Sequence, residues 1–479
     1  MIHTEMTPIE KRAAFSLAGI FSLRMMGLFM ILPVFALYAT DIEGVTPLMI
    51  GLAIGIYGLT QALFQIPFGM MSDKFGRKPI IALGLVIFAI GSVVAATADS
   101  MMGIIIGRAL QGSGAIAAAV MALAADLTRE EHRTKAMAVI GMSIGLSFTA
   151  SLVLGPMLNG VIGVQGIFWL TAVLAIGGIF VLKFIVPTPV KSSFHRDAEP
   201  VPGYFMNVLK DRQLQRLDYG IASLHVILTS TFIALPFALR DYAGLEVEHH
   251  WYVYLPVLLL SLAISIPFII IAEKKRKIKE VFVVAIVGIL VAQLGLVFFY
   301  DSLWAICLLL ACFFIAFNTL EALLPSLIAK FSPADKKGTA MGVYSTSQFL
   351  GAFVGGVLGG AIYGWHDLPG VFFFCTVVAG AWFFVARTME TPRFLANLML
   401  HVGDIPEDQV EKLEYDLRQV KGVVEALYVE EEGAAYLKVD NRELDGDALE
   451  QFVEQVDDSE LGTAKDGAAD DAHSRAPQN

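Results

Sequence analysis

Twelve stretches of this chain are long and apolar enough to cross a lipid bilayer. The hydrocarbon core takes about 20 mostly apolar residues per helix. Stretches of that kind fall at 13–38, 48–71, 79–98, 101–126, 135–159, 165–187, 216–240, 251–272, 280–300, 303–329, 339–363 and 369–388. Charged residues make up 16% of the 479, against about 25% in soluble domains. The expected fold is all-α and membrane-embedded, with twelve transmembrane helices in two six-helix bundles and a small α+β domain after the last helix. The first stretch follows Lys11 and Arg12. It is too long for the apolar core of a cleaved signal and is expected to be a retained helix.

Charge orients the helices. The connections 39–47, 99–100, 160–164, 241–250, 301–302 and 364–368 hold no Lys or Arg, and Arg240 alone lies at the edge of one of them. The opposite connections carry Lys11, Arg12, Lys74, Arg77, Lys78, Arg129, Arg133, Lys135, the basic run from Lys274 to Lys279, Lys336 and Lys337. Basic loops stay in the cytoplasm, so both termini are expected there. Residues 1–389 carry a net charge of +4 and residues 390–479 one of −15. The acidity therefore belongs to the tail and says nothing about the cargo of the membrane part. Cys307, Cys312 and Cys375 all sit in apolar runs. They form no disulfide framework and no metal or redox motif.

The second half repeats the first at an offset of 204 residues. Arg133-Thr134-Lys135-Ala136-Met137-Ala138 aligns with Lys337-Gly338-Thr339-Ala340-Met341-Gly342, Gly155 with Gly359, and Gly160 with Gly364. A repeat of six helices preserves orientation between halves and places a binding cavity between them near the midplane.

The segment Gly69-Met70-Met71-Ser72-Asp73-Lys74-Phe75-Gly76-Arg77-Lys78 lies between the second and third stretches. It resembles the G-x-x-x-D-(K/R)-x-G-(R/K)-(R/K) motif of the major facilitator superfamily. A second segment, Gly107-Arg108-Ala109-Leu110-Gln111-Gly112-Ser113-Gly114-Ala115, resembles that family's fourth-helix R-x-x-Q-G-x-G-A signature. The fifth helix carries Gly155-Pro156 and Gly160 but has Ser151 and Asn159 where the drug-antiporter signature has glycine. The resemblance implies that Gly69, Asp73, Gly76, Arg77 and Lys78 form a cytoplasmic latch between the halves, facing the eleventh helix, with Asp126 as partner of the arginine. An exposed ion pair contributes about 0–1 kcal/mol, which suits a breakable latch. The partial match at Gly155 and Pro156 favours an antiporter and leaves drug specificity open.

Arg24, Arg108, His225 and Glu321 are isolated ionisable residues within the apolar stretches. Such residues are costly in hydrocarbon and point to function. They fall on the first, fourth, seventh and tenth helices, which line the cavity in the resembled family. Histidine titrates near the working pH, and desolvation can bring a carboxyl there. Glu321 and His225 are therefore the expected proton carriers, with Arg24 and Arg108 modulating them. The other reading pairs Glu321 structurally with one of the arginines. Gln61, Gln65, Asn318 and Gln348 are cavity candidates. Phe29, Phe35, Tyr57, Phe64, Phe232, Phe237, Phe313, Phe317 and Tyr344 suit amphipathic organic solutes.

The expected organisation is a bundle at 1–187, a linker at 188–215 with an amphipathic helix over 204–217, a bundle at 216–388, a βαββα ferredoxin-like domain at 396–456 and a disordered tail at 457–479. That domain lacks a CxxC loop, so no metal role is expected. The resemblance implies a monomeric, proton-driven exporter of small amphipathic compounds, with a regulatory tail. No enzyme activity, nucleic-acid binding or cofactor is expected, and no ATP-binding G-x-x-x-x-G-K-(S/T) loop occurs. A proton symporter importing a sugar or metabolite and a non-transporting membrane sensor remain the alternatives.

Overall fold

The computed structural model describes residues 5–188, 202–333, 336–392, 396–403, 405–430, 433–440 and 443–452. The chain divides into two compact units, Met1–Arg393 and Phe394–Asn479. Much of the expected linker (189–201), the end of the second helix of the terminal domain (453–456) and the tail at 457–479 lie outside the described residues.

The first unit is helical. Helix α1 (Pro8–Phe29) starts five residues before the apolar run, because Thr7 and Glu10 close a capping box and Pro8 suits the first turn. The first stretch is then interrupted at Met30 and Ile31 before α2 (Leu32–Ala39). Pro33, in the first turn of α2, cannot donate to the preceding turn. Next come α3 (Pro47–Phe75) and α4 (Arg77–Ala96), joined through Gly76 at φ 94°. The expected fourth helix is two pieces, α5 (Met101–Ser113) and α6 (Ala117–Asp126). Then follow α7 (Glu130–Phe184), the short α8 (Phe205–Lys210), α9 (Arg212–Phe237), α10 (Trp251–Lys274), α11 (Ile278–Phe299), α12 (Leu303–Phe331) and α13 (Lys337–Arg387).

The amphipathic helix expected over 204–217 is corrected. A 3-10 turn (Pro202–Tyr204) leads into the six residues of α8, and α9 already begins at Arg212. Asp211 breaks the run because its carboxylate accepts from the backbone N–H of Gln213 and Leu214, capping a new helix.

Ten helices among the described residues are long and apolar enough to cross a membrane. The connections expected at 160–164 and 364–368 are continuous helix apart from one non-helical residue each, Gly163 (φ 66°) in α7 and Asp367 (φ 56°) in α13. These two residues are 204 positions apart, the offset of the sequence repeat. The repeat recurs in packing. Gly155 of α7 abuts the Met30 carbonyl at the α1–α2 interruption, and Gly359 of α13 abuts Ser230 of α9.

Burial separates central from peripheral helices. In its most apolar window α9 is 94% buried, whereas α10 is 28% buried. Val161, Phe180, Trp304, Leu308 and Phe384 all stand exposed, a surface suited to lipid and not to water. The two halves pack along α3 and α13, where Gly51 and Gly55 meet Gly356 and Gly360 backbone to backbone. Small residues permit such approach where lipid supplies no hydrophobic drive.

The second unit is a three-stranded antiparallel sheet with order β1-β3-β2: β1 (Ala396–His401), β2 (Val423–Val429) and β3 (Ala434–Val439). Helix α14 (Glu407–Gln419) follows β1, with Pro406 as its N-cap and not in its first turn. Helix α15 (Gly446–Glu450) is capped by Asp445 and closes the βαββα order. Leu417, Val423, Ala426, Ala435, Leu437 and Leu449 form its core.

Candidate functional site

The turn between α3 and α4 builds a tight charge cluster. Gly76 takes a positive φ that side chains resist, so the chain reverses within one residue. That reversal lays Arg77 back over α3. Its guanidinium pairs with Asp73 one turn earlier, donates to Ser72 Oγ at 2.9 Å and reaches Asp126 Oδ2 at 3.3 Å. The Arg77 and Asp126 side chains are 3% and 0% exposed, while Asp73 is 38% exposed. The expectation of an exposed, weak Arg77–Asp126 pair is therefore overturned: the pair is enclosed. Gly69 faces Ala118 of α6, and Lys78 Nζ donates to the Val186 carbonyl at 2.7 Å and Thr188 Oγ1 at 3.0 Å. These contacts join α3, α4, α6 and the end of α7.

The four isolated ionisable residues separate into two clusters. In the first, Arg24 and Arg108 flank the Tyr57 ring, with guanidinium carbons 5.8 and 5.1 Å from its centroid. Arg24 donates to Gln61 Oε1, and Arg108 donates to Gln111 Oε1 at 2.9 Å and to the Ala53 carbonyl at 3.3 Å. All five side chains are buried. In the second cluster, His225 Nε2 of α9 lies 3.6 Å from Glu321 Oε1 of α12 and 2.9 Å from Gln348 Nε2 of α13. The alternative pairing of Glu321 with an arginine is absent among the described residues.

Geometry assigns the histidine tautomer. The Gln348 amide nitrogen only donates, so Nε2 of His225 accepts, and Nδ1–H donates to the Ile221 carbonyl at 3.2 Å. A second proton on His225 requires the Gln348 amide to turn and offer its oxygen.

The remaining candidates scatter. Gln65 bridges the halves, contacting Thr346 and accepting from Ser345 Oγ at 3.2 Å. Asn318 donates to Ser261 Oγ of α10 at 3.2 Å. Pro156 follows Gly155 where α7 meets the α1–α2 interruption.

Two groups of residues escaped the sequence reading. Phe148 of α7 stacks on Phe317 of α12 at 5.6 Å and meets Phe29 edge-on at 4.9 Å, so an aromatic seam joins the halves beside His225. Nothing in a Phe-rich sequence distinguishes that phenylalanine. Asp218 of α9 has a buried Oδ1 without a hydrogen-bond partner among the described residues, as does the Tyr344 hydroxyl. The signal for Asp218 was its spacing seven before His225, which places both on one helix face.

Two sets of long apolar helices joined along a glycine rail, each enclosing a cluster of buried polar residues, are the architecture of a membrane transporter. The chain belongs to the Major Facilitator Superfamily, whose profile matches residues 17–356 and 278–397. It is 49% identical over 453 residues to the inner membrane transport protein YajR of Escherichia coli, covering 94% of this chain and 99% of that one. The multidrug resistance protein MdtH of Aeromonas hydrophila is 26% identical, over 72% of this chain and 86% of that one. A solved structure of a bacterial homologue of the human lysosomal transporter Spinster, inward-facing and occupied, superposes with a TM-score of 0.65 at 15% identity. It covers 81% of this chain and 98% of that one, a likeness of fold.

Proposed function

We propose that this transporter exports small amphipathic compounds in exchange for protons, by alternating access across a bacterial inner membrane. The observation that carries the reading is the His225–Glu321 pair beside the aromatic seam. A carboxylate and a neutral imidazole within 3.6 Å offer two sites for one arriving proton. The adjoining Phe148, Phe314 and Phe317 rings offer an apolar surface to a solute. Proton and solute then compete for one region of the protein, which is what exchange requires. The similarity to YajR supports the inner membrane, and that to MdtH supports export.

Twelve crossings fit this reading. At 1.5 Å per residue, the 55 residues of α7 and the 51 of α13 extend about 83 and 77 Å, enough for two passages of a core about 30 Å thick. Gly163 and Asp367 then mark the turns outside the cell, and both termini lie in the cytoplasm. Asp73, Arg77 and Asp126 act as the conformational latch. Asp218, whose buried Oδ1 lacks a partner among the described residues, is a second protonatable candidate on α9.

Substrate-dependent proton movement in proteoliposomes tests the proposal. An outwardly directed solute flux that acidifies the opposite compartment supports exchange. Co-migration of solute and proton would identify a symporter, and no proton movement with any solute would sink the coupling.

A further inference from the structure

The Arg24–Arg108 cluster has an unusual hydrogen-bond balance. Each side-chain acceptor named here already takes one donor: Gln61 Oε1 receives Arg24, Gln111 Oε1 receives Arg108, and Ser92 Oγ receives Gln111 Nε2 at 2.8 Å. Among the described residues, the buried atoms of the cluster left without a partner are Arg24 Nε, Arg24 Nη1, Gln61 Nε2 and the Tyr57 hydroxyl. The first three can only donate, and the hydroxyl is free to. Arg24, Tyr57 and Gln61 are 1%, 1% and 0% exposed, and Arg108 is 3% exposed. No carboxylate pairs with either arginine among the described residues. Two guanidinium charges are thus enclosed together with surplus donors.

Burying an uncompensated charge is costly, and leaving a buried donor unmade adds to that cost. The ring faces of Tyr57 and Phe88, 5.8 and 5.9 Å from the Arg24 guanidinium carbon, offset part of this. They accept none of its N–H bonds in plane. A water molecule would satisfy a donor but cancel no charge. An anion does both.

We propose that Arg24, Tyr57, Gln61 and Arg108 form a binding site for one small monovalent anion within the amino-terminal helices. The shared chemistry is a compact charge with several acceptor directions. Its source is either a halide from solution or the carboxylate of a small organic solute. The site is separate from the His225–Glu321 pair and does not depend on proton coupling.

The test uses purified full-length protein in detergent at fixed pH and ionic strength, with sodium HEPES replaced stepwise by sodium bromide, chloride or acetate. The melting temperature is expected to rise and saturate with at least one of them. Halide but not acetate identifies an inorganic ion, and acetate alone identifies a carboxylate. Tyr57→Phe keeps the ring and removes one donor, so the apparent affinity should weaken about tenfold. Arg24→Gln should abolish saturation. Glu321→Gln should bind the anion as the natural chain does, which keeps this result distinct from failure of the coupling proposal. A melting temperature indifferent to all three anions in the natural chain overturns the site, whether or not the variants fold. So does an unchanged response in both Tyr57→Phe and Arg24→Gln.

Discussion

Nε2 of His225 and Oε1 of Glu321 stand 3.6 Å apart, one on α9 and the other on α12, with side chains 9% and 30% exposed. The distance is beyond a hydrogen bond, and a proton taken up by either group would set its charge against the other. The histidine is held on both sides, by Ile221 and Gln348, while Glu321 Oε1 has no hydrogen-bond partner. The carboxyl is the freer group and the better one to exchange a proton.

Glu321→Gln keeps the shape and removes the titration. Proton movement coupled to solute should fall to the level of empty liposomes, while solute binding persists. Asp218→Asn should slow proton exchange on the cytoplasmic side and leave solute affinity unchanged. Coupled flux of undiminished rate in Glu321→Gln would remove it as the carrier.

The two acidic partners of Arg77 should differ in weight. Asp126 is enclosed with the arginine, so Asp126→Asn leaves a buried charge short of a partner and should cost about 3 kcal/mol. Asp73 is 38% exposed, and Asp73→Asn should cost about 0–1 kcal/mol. Equilibrium unfolding in mixed micelles measures both. Equal costs would contradict the difference in burial.

The glycine rail should be intolerant of side chains. A Cβ at Gly51 would overlap the Gly356 carbonyl, so Gly51→Leu must push α3 from α13. A destabilisation of about 1–3 kcal/mol is expected, with loss of transport. Gly19 has open space around it, and Gly19→Ala should stay within about 0.5 kcal/mol of the natural chain. Thermal unfolding of the two variants side by side provides the comparison.

In the terminal unit, Tyr428 ties the β1–α14 connection to the sheet. Its hydroxyl accepts from Ile405 N at 3.0 Å and donates to the Gly403 carbonyl at 2.9 Å. Tyr428→Phe should cost about 1–2 kcal/mol there. Amide exchange should quicken within 403–405 and β2, with rates in α3 and α13 unchanged.

Sequence by itself determined the membrane fold, the repeat and the family motifs. Length of an apolar run, spacing of a duplication and the sign of charge in a loop are properties along one dimension. The non-helical residues of α7 and α13, Gly163 and Asp367, stand at the same 204-residue offset as the repeat. In the terminal unit, the βαββα order expected from the sequence recurs among the described elements.

Tertiary structure alone decided which buried group meets which. Arg24 lies against Gln61 and Tyr57 and not Glu321, Arg77 and Asp126 are enclosed and not exposed, and Phe148 is the ring that reaches across to Phe317. Each outcome depends on the rotation of a helix about its axis and on a partner far away in sequence. Local pattern carries neither quantity, because an apolar helix in lipid is greasy on every side and its hydropathy does not say which face turns inward.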